Sequence, residues 1–286
     1  MMATRTDING ISELQQRDSR TNRPICGIIS DLDGVAYRDD DPIPGSVQAF
    51  RAWRECGVPY AFVTNNSTNS TKSAAQFAAK LNGVGIPATA AQVFNTISAV
   101  SILLQRWWPP GTPVFAIGEQ PLLDALEESG YRLAGTDAKV VVLGFDAGLN
   151  YAKLRSTIRA ALAGATVIAT NPDVLTPVHE GYDPCVGVLT AAVAAAVPSA
   201  TPIVVGKPHP FMIEQALKHL GTRKEETVMI GDQISTDIVA GQSAGLRAIL
   251  IASDVPFDAV EGVVPDLIIS SLLDLVGAAS GETGAA

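Results

Sequence analysis

Short apolar runs that read as β-strands alternate with stretches of helical periodicity along almost the whole chain. The strand-like runs fall at 25–30, 59–63, 113–117, 138–145, 166–169, 202–205, 226–230, 246–252 and 266–269. Between them, 46–56, 72–82, 120–129, 150–163, 186–196, 211–220 and 235–243 carry apolar residues at helical spacing. Few architectures accept that order. A parallel strand pair needs a crossover, usually a helix, so the pattern predicts an α/β protein with parallel sheets and helices on both faces. At 286 residues and 47% hydrophobic content there is material for one large or two ordinary domains. Pro- and Gly-rich seams at Trp107-Trp108-Pro109-Pro110-Gly111 and Pro198-Ser199-Ala200-Thr201-Pro202 suit linkers. They predict an inserted domain at 107–202, a discontinuous one at 24–106 and 203–286, and a polar N-terminal arm at 1–23.

The net charge of −9 argues against a nucleic-acid partner, because that grip depends on basic surface that displaces counterions. An anionic substrate must then be drawn in locally, by a lysine, a metal and backbone amides. Residues 1–23 lack the apolar stretch of a secretory leader, and the Ala-rich run 188–197 stops at Pro198, far short of a membrane span. Cys26, Cys56 and Cys185 have no metal-ligand spacing and are odd in number. The expectation is a cytoplasmic protein with no membrane partner.

Four strand ends carry polar residues of a kind that chemistry would want in one place. The run Ile28-Ile29-Ser30 ends in Asp31-Leu32-Asp33-Gly34. Residues i and i+2 of an extended chain project to one side, so two carboxylates start out aimed together. Close carboxylates repel unless a cation, a shared proton or a phosphoryl group compensates them. Strand 59–63 runs into Thr64-Asn65-Asn66-Ser67, where a hydroxyl and backbone amides could hold an anion, or simply cap a helix. Strand 202–205 runs into Gly206-Lys207-Pro208, bringing one positive charge to a strand end. Strand 226–230 runs into Gly231-Asp232, with Asp237 about one helical turn further on. Asp31, Asp33 and Asp232 would offer the oxygen ligands a hard cation such as Mg²⁺ prefers.

In this order, Asp-Leu-Asp-Gly-Val, Val-Thr-Asn-Asn-Ser, Gly-Lys-Pro and Gly-Asp-x-x-x-Thr-Asp resemble the four motifs of the haloacid dehalogenase (HAD) superfamily of phosphohydrolases. Ala169-Thr170-Asn171-Pro172-Asp173 and the long gap between Asn66 and Lys207 resemble its NagD-like, p-nitrophenylphosphatase branch, subclass IIA. The resemblance spans about residues 25–275. It implies a Rossmann-like core with an inserted α/β cap, and a Mg²⁺-dependent phosphatase acting on small-molecule phosphate monoesters through an aspartyl-phosphate. By the same resemblance, Asp31 is the nucleophile and Asp33 the general acid–base. Mg²⁺ sits on the Asp31 carboxylate, the Asp33 backbone carbonyl and Asp232, with Asp237 supporting that shell. Thr64, Asn65 and the Asn66 amide hold the phosphoryl oxygens, and Lys207 neutralises charge. Asn171, Asp173 and Thr176 in the cap are candidates for touching the leaving group. A small phosphorylated metabolite is the expected partner, together with a homodimer joined through the cap.

Some features depart from the pattern or mislead. The loop Ala36-Tyr37-Arg38-Asp39-Asp40-Asp41 lacks a glycine that relatives often have, and Gln233-Ile234-Ser235 replaces a more charged stretch. Val174-Leu175-Thr176-Pro177 lacks the histidine that some pyridoxal and phosphoglycolate phosphatases use nearby, which weakens those substrates. Gly241-Gln242-Ser243-Ala244-Gly245 fits the serine-hydrolase pattern but closes a helix instead of opening one. His179, His209 and His219 share no metal-ligand spacing. The alternative left open is a phosphoacceptor signalling module or a phosphotransferase using the same aspartate; a signalling module would need no large inserted cap.

Overall fold

The computed structural model describes residues 24–66, 73–178, 181–252 and 259–277. Its strands, in chain order, are β1 Gly27–Ser30, β2 Tyr37–Arg38, β3 Asp41–Pro42, β4 Tyr60–Thr64, β5 Val93–Asn95, β6 Pro113–Ile117, β7 Arg132–Leu133 and β8 Val140–Leu143. They continue with β9 Thr166–Ala169, β10 Leu175–Val178, β11 Gly181–Pro184, β12 Ile203–Val204, β13 Thr227–Gly231, β14 Arg247–Ile251 and β15 Leu267–Ile269. The α-helices are α1 Ser46–Glu55, α2 Ala74–Gly83, α3 Thr96–Trp107, α4 Gln120–Glu128, α5 Tyr151–Leu162, α6 Val186–Ala196, α7 Phe211–Leu220 and α8 Val239–Ser243. This is the α/β architecture that the alternation predicts.

Six strands form one sheet in the order β15-β14-β13-β1-β4-β5. Strand β1 lies between β13 and β4, parallel to both, with Ile29 opposite Met229 on one side and Ala61 on the other. Five more form a second sheet, β12-β9-β8-β6-β7, in which all neighbouring strands run parallel. Two antiparallel hairpins, β2–β3 and β10–β11, stand outside these sheets. By internal contacts the described residues group into two units. One draws on the described residues up to Phe62, on Leu81–Pro87 and on the described residues from Ala216 onward, the other on the described residues of Val63–Lys80 and Ala88–Gln215.

In the first unit, β1 and β13 are buried along their whole length, as strands covered on both faces must be. Helix α1 buries Ala49, Phe50 and Trp53, and the Phe50 ring meets Trp53, Tyr60 and Phe62 at centroid distances of 5.1, 5.2 and 5.0 Å. Aromatic pairs at this spacing add about 0.5–1.5 kcal/mol beyond simple burial. They clamp α1 to the strand that precedes Thr64. In the second unit, alternate residues of β8 face opposite ways. Val141 and Leu143 pack with Ala160 and Ala161 of α5 and Val186, Leu189 and Val193 of α6. Val140 and Val142, equally buried, face the other side.

Helix α3 has no counterpart among the elements expected from sequence, although Ile97, Val100 and Leu104 hold helical spacing. Asn95 caps it, its Oδ1 accepting the Ser98 N–H at 2.9 Å. Strands β2, β3, β5 and β7, two or three residues each, are too short to show an alternation in sequence. Among the described residues, no helix is long and apolar enough to cross a membrane.

Candidate active site

In the first unit, chemistry gathers beyond the ends of β1 and β13. The Asp31 N–H still donates to the Ile230 carbonyl at 2.8 Å, so the sheet ladder carries this residue into place. The chain then turns tightly. The Leu32 carbonyl accepts N–H groups from Ala36 at 2.9 Å and Tyr37 at 3.2 Å, and the Gly34 N–H donates to the Tyr37 carbonyl at 2.8 Å. Gly34 adopts φ = +82°, a region that L side chains rarely enter.

Beyond β13, Ile234–Ile238 winds as a π-helix before α8 begins. Both Asp237 and Ile238 donate backbone N–H bonds to the Gln233 carbonyl, at 3.0 and 3.3 Å. This wide turn folds Asp237 back over the strand end, where its Oδ2 accepts the Gln233 N–H at 3.1 Å. A β-carbon on Gly231 would stand 2.0 Å from that of Asp237, so only glycine admits the side chain there. Single π-turns of this kind recur at functional sites because they re-aim one side chain.

The outcome is a cluster: Asp31, Asp232 and Asp237 each place one carboxylate oxygen within 4.8 Å of the others. Asp31 and Asp237 are buried. The donor set is entirely oxygen, the ligand type that a small hard cation such as Mg²⁺ prefers. Asp237, expected from sequence behind this shell, contributes an oxygen to the cluster itself. The carboxylate of Asp33 is not one of the three, though its backbone bridges to Tyr37. Tyr37 is a residue that the sequence gives no reason to single out. It is buried, and burial first, then the charges of Asp33 and Asp31, push its phenol well above the ordinary range.

In the second unit, Thr64 ends β4 with its hydroxyl accepting the Asn66 N–H at 3.0 Å. The Asn65 side chain is bound to the lysine that follows β12. Its Oδ1 accepts the Lys207 N–H at 2.8 Å and its Nδ2 donates to the Lys207 carbonyl at 2.7 Å. Nδ2 also lies 3.4 Å from Oδ2 of Asp173. Lys207 is only 2% exposed, and the peptide joining it to Pro208 is cis. Asn171, fully buried, donates from Nδ2 to the Asn65 carbonyl at 3.2 Å, and its Oδ1 accepts the Asp173 N–H at 3.1 Å.

Of the sequence candidates, then, Asp31, Asp232 and Asp237 converge in one unit, and Asn65, Lys207, Asn171 and Asp173 form a network in the other. Thr176 lies further along, on β10 opposite Asp183. Ser67 and His179 lie outside the described residues. His209 acts locally, its Nδ1 accepting the Phe211 N–H at 3.3 Å. Gly241–Gly245 closes α8 ahead of β14, which excludes a nucleophile elbow.

Comparison with known proteins gives the family. A model of haloacid dehalogenase-like hydrolases matches residues 28–132, and a HAD-hydrolase-like model matches 204–275. The 5'-nucleotidase YutF of Bacillus subtilis (strain 168) is 37% identical over 229 residues, covering 80% of this chain and 88% of the relative. The chain belongs to the haloacid dehalogenase-like hydrolases. A dihydroxyacetone phosphatase of Corynebacterium glutamicum (strain R) is 32% identical and covers 81% of this chain and 82% of its own. Among solved structures, a double mutant of the thermostable NPPase from Geobacillus stearothermophilus matches with a TM-score of 0.80 at 37% identity, covering 88% of this chain and 98% of that one. What these HAD relatives share is phosphatase activity, and this chain is a phosphoric monoester hydrolase of the same family. What they differ in is the molecule that carries the phosphate.

Proposed function

We propose that this HAD hydrolase releases phosphate from small-molecule monoesters with the help of Mg²⁺, passing through an aspartyl-phosphate on Asp31. The observation that carries the reading is the convergence of Asp31, Asp232 and Asp237 at the ends of two adjacent strands. Three carboxylates at such spacing repel one another, and that repulsion calls for a cation. Asp31, the Asp33 backbone carbonyl, Asp232 and Asp237 would hold Mg²⁺, which would supply positive charge against which an anionic nucleophile can approach an anionic phosphate.

The chain's own residues then divide the work. An Asp31 oxygen attacks phosphorus, and the bond from phosphorus to the leaving oxygen breaks as Asp33 passes its proton to that oxygen. Asp33, now a carboxylate, takes a proton from water. The water oxygen attacks phosphorus, the Asp31–phosphorus bond breaks, and both aspartates return to their starting states. Thr64 and Asn66 serve the non-reacting phosphoryl oxygens, and Lys207 opposes their charge.

Residues 107–202, which include most of the second sheet and the β10–β11 hairpin, would act as the cap that selects the leaving group. A homodimer joined through that segment, and a cytoplasmic setting, complete the proposal. A panel of an aryl phosphate, sugar phosphates, a nucleoside monophosphate and phosphoglycolate, run with Mg²⁺ and with excess chelator, tests it. Phosphate release that depends on the cation is expected. Undiminished release in chelator would remove the metal from the reading, and no release from any ester would remove the reading itself.

A further inference from the structure

We propose that Asn65 and Asn171 are positioning residues that set the backbone of Lys207, and that Asn171 does not touch the leaving group. The relevant feature is the pattern of donors and acceptors around one peptide segment. A primary amide carries a donor and an acceptor in one plane, so it can bind both the N–H and the C=O of a single residue. Asn65 does this to Lys207, at 2.8 and 2.7 Å. The Lys207 N–H can only donate and its carbonyl can only accept, so the orientation of the Asn65 amide is dictated by the pair.

The clasp leaves no room for error on either side. A β-carbon on Gly206 would lie 2.6 Å from Oδ1 of Asn65 and 2.5 Å from the Thr170 carbonyl. Glycine at 206 is what lets the chain approach closely enough to be held. The clasp is itself held from the end of β9. Asn171 donates to the Asn65 carbonyl, while its Oδ1 accepts from the Asp173 N–H at 3.1 Å and faces the Cys185 thiol at 3.8 Å. One Nδ2 hydrogen and the Oδ1 are committed inside the protein, and the residue is fully buried. To reach a substrate it would have to leave that buried position and give up those bonds, at about 1–3 kcal/mol for each buried group left unsatisfied. Lys207 is equally buried, so the direction in which its ammonium leaves the backbone depends on the peptide that the clasp fixes.

This inference rests on the phosphatase reading only for what Lys207 does to the phosphoryl group. Lys207 serves that group whatever alcohol is attached, whereas a residue that touches the alcohol affects each substrate differently. Asn171→Ala should therefore lower kcat by about 10- to 100-fold, and by the same factor, on an aryl phosphate, a sugar phosphate and a nucleoside monophosphate. In a Lys207→Ala background the same substitution should cost nothing more. Hydrogen exchange supplies a readout independent of turnover: the Lys207 amide should exchange at least about ten-fold faster in Asn65→Ala and Asn171→Ala than in the parent protein. Uniform losses with loss of amide protection support the proposal. Losses that differ among the three esters, or an amide that stays protected in both variants, overturn it. If the parent protein hydrolyses none of the esters, the phosphatase reading falls alone and the exchange result still decides the clasp.

Discussion

Oδ2 of Asp232 lies only 2.1 Å from where a β-carbon on Gly34 would stand, and Gly34 holds φ = +82°. The carboxylate that follows β13 thus rests on the bare backbone of the turn that follows β1. Gly34→Ala meets two penalties at once. The left-handed backbone costs about 1–2 kcal/mol for an L residue, and the Asp232 carboxylate must move out of its cluster. A lower melting temperature is expected, with a Mg²⁺ requirement for activity raised by about ten-fold or more. A folded variant with parental Mg²⁺ dependence would show that Asp232 need not sit there.

Asp31 and Asp33 can be told apart by chemistry. Asp31→Asn removes the attacking oxygen but keeps the side chain's size, so turnover should fall by about 10⁴-fold or more while the far-UV spectrum and melting temperature hold. Near-parental phosphate release would remove Asp31 as nucleophile. Asp33→Asn should hurt an alkyl phosphate far more than p-nitrophenyl phosphate, whose good leaving group needs little protonation. Equal losses on the two esters would argue against acid catalysis by Asp33.

Asp237 sets a carboxylate oxygen within 4.8 Å of those of Asp31 and Asp232, and direct binding of a cation is the expectation. Asp237→Asn keeps a group able to accept the Gln233 N–H but removes one negative charge from the cluster. The Mg²⁺ concentration for half-maximal activity should rise by about 10- to 100-fold, with kcat at saturating Mg²⁺ changed less. An unchanged titration would return Asp237 to a supporting role behind the metal shell.

Tyr37 links the site to stability at high pH. Burial and the neighbouring Asp33 and Asp31 charges raise its folded pKa above the ordinary value of 10.0, so the folded protein keeps a proton that the unfolded chain loses. Its contribution is fully present below about pH 10 and declines as pH rises beyond it, by up to about 1.4 kcal/mol per pH unit. Tyr60 and Tyr131, also raised by burial, add slopes of the same sign. Urea unfolding from pH 8 to 11 should therefore show a shallower decline in Tyr37→Phe than in the parent. Parallel curves would mean that Tyr37 titrates normally.

Much of the fold is visible in the chain because it depends on local pattern. Buried parallel strands such as Ile28–Ser30 and Val228–Ile230 need continuous apolar runs, and Gly34 and Gly231 mark the points where those runs give way to carboxylates. Helix α3 and the short hairpin strands escape that kind of reading. The helix begins at an Asn cap inside an apolar region, and a two-residue strand has no period to detect. Tyr37 escapes for another reason: nothing in Val35-Ala36-Tyr37 shows that the phenol will be packed near two aspartates.

The amino-acid order alone dictated the α/β class, the strand-end stations and the residue types each one presents, since periodicity and turn chemistry operate over a few residues. Only the tertiary structure decided what those side chains bind. Asn65 meets Lys207 across 142 positions of chain and Asn171 meets Asn65 across 106, while the π-turn brings an oxygen of Asp237 within 4.8 Å of those of Asp31 and Asp232. A hydrogen bond requires its partners within about 3 Å, and between residues so distant in sequence that proximity is set by strand order and crossover, not by either residue's neighbours.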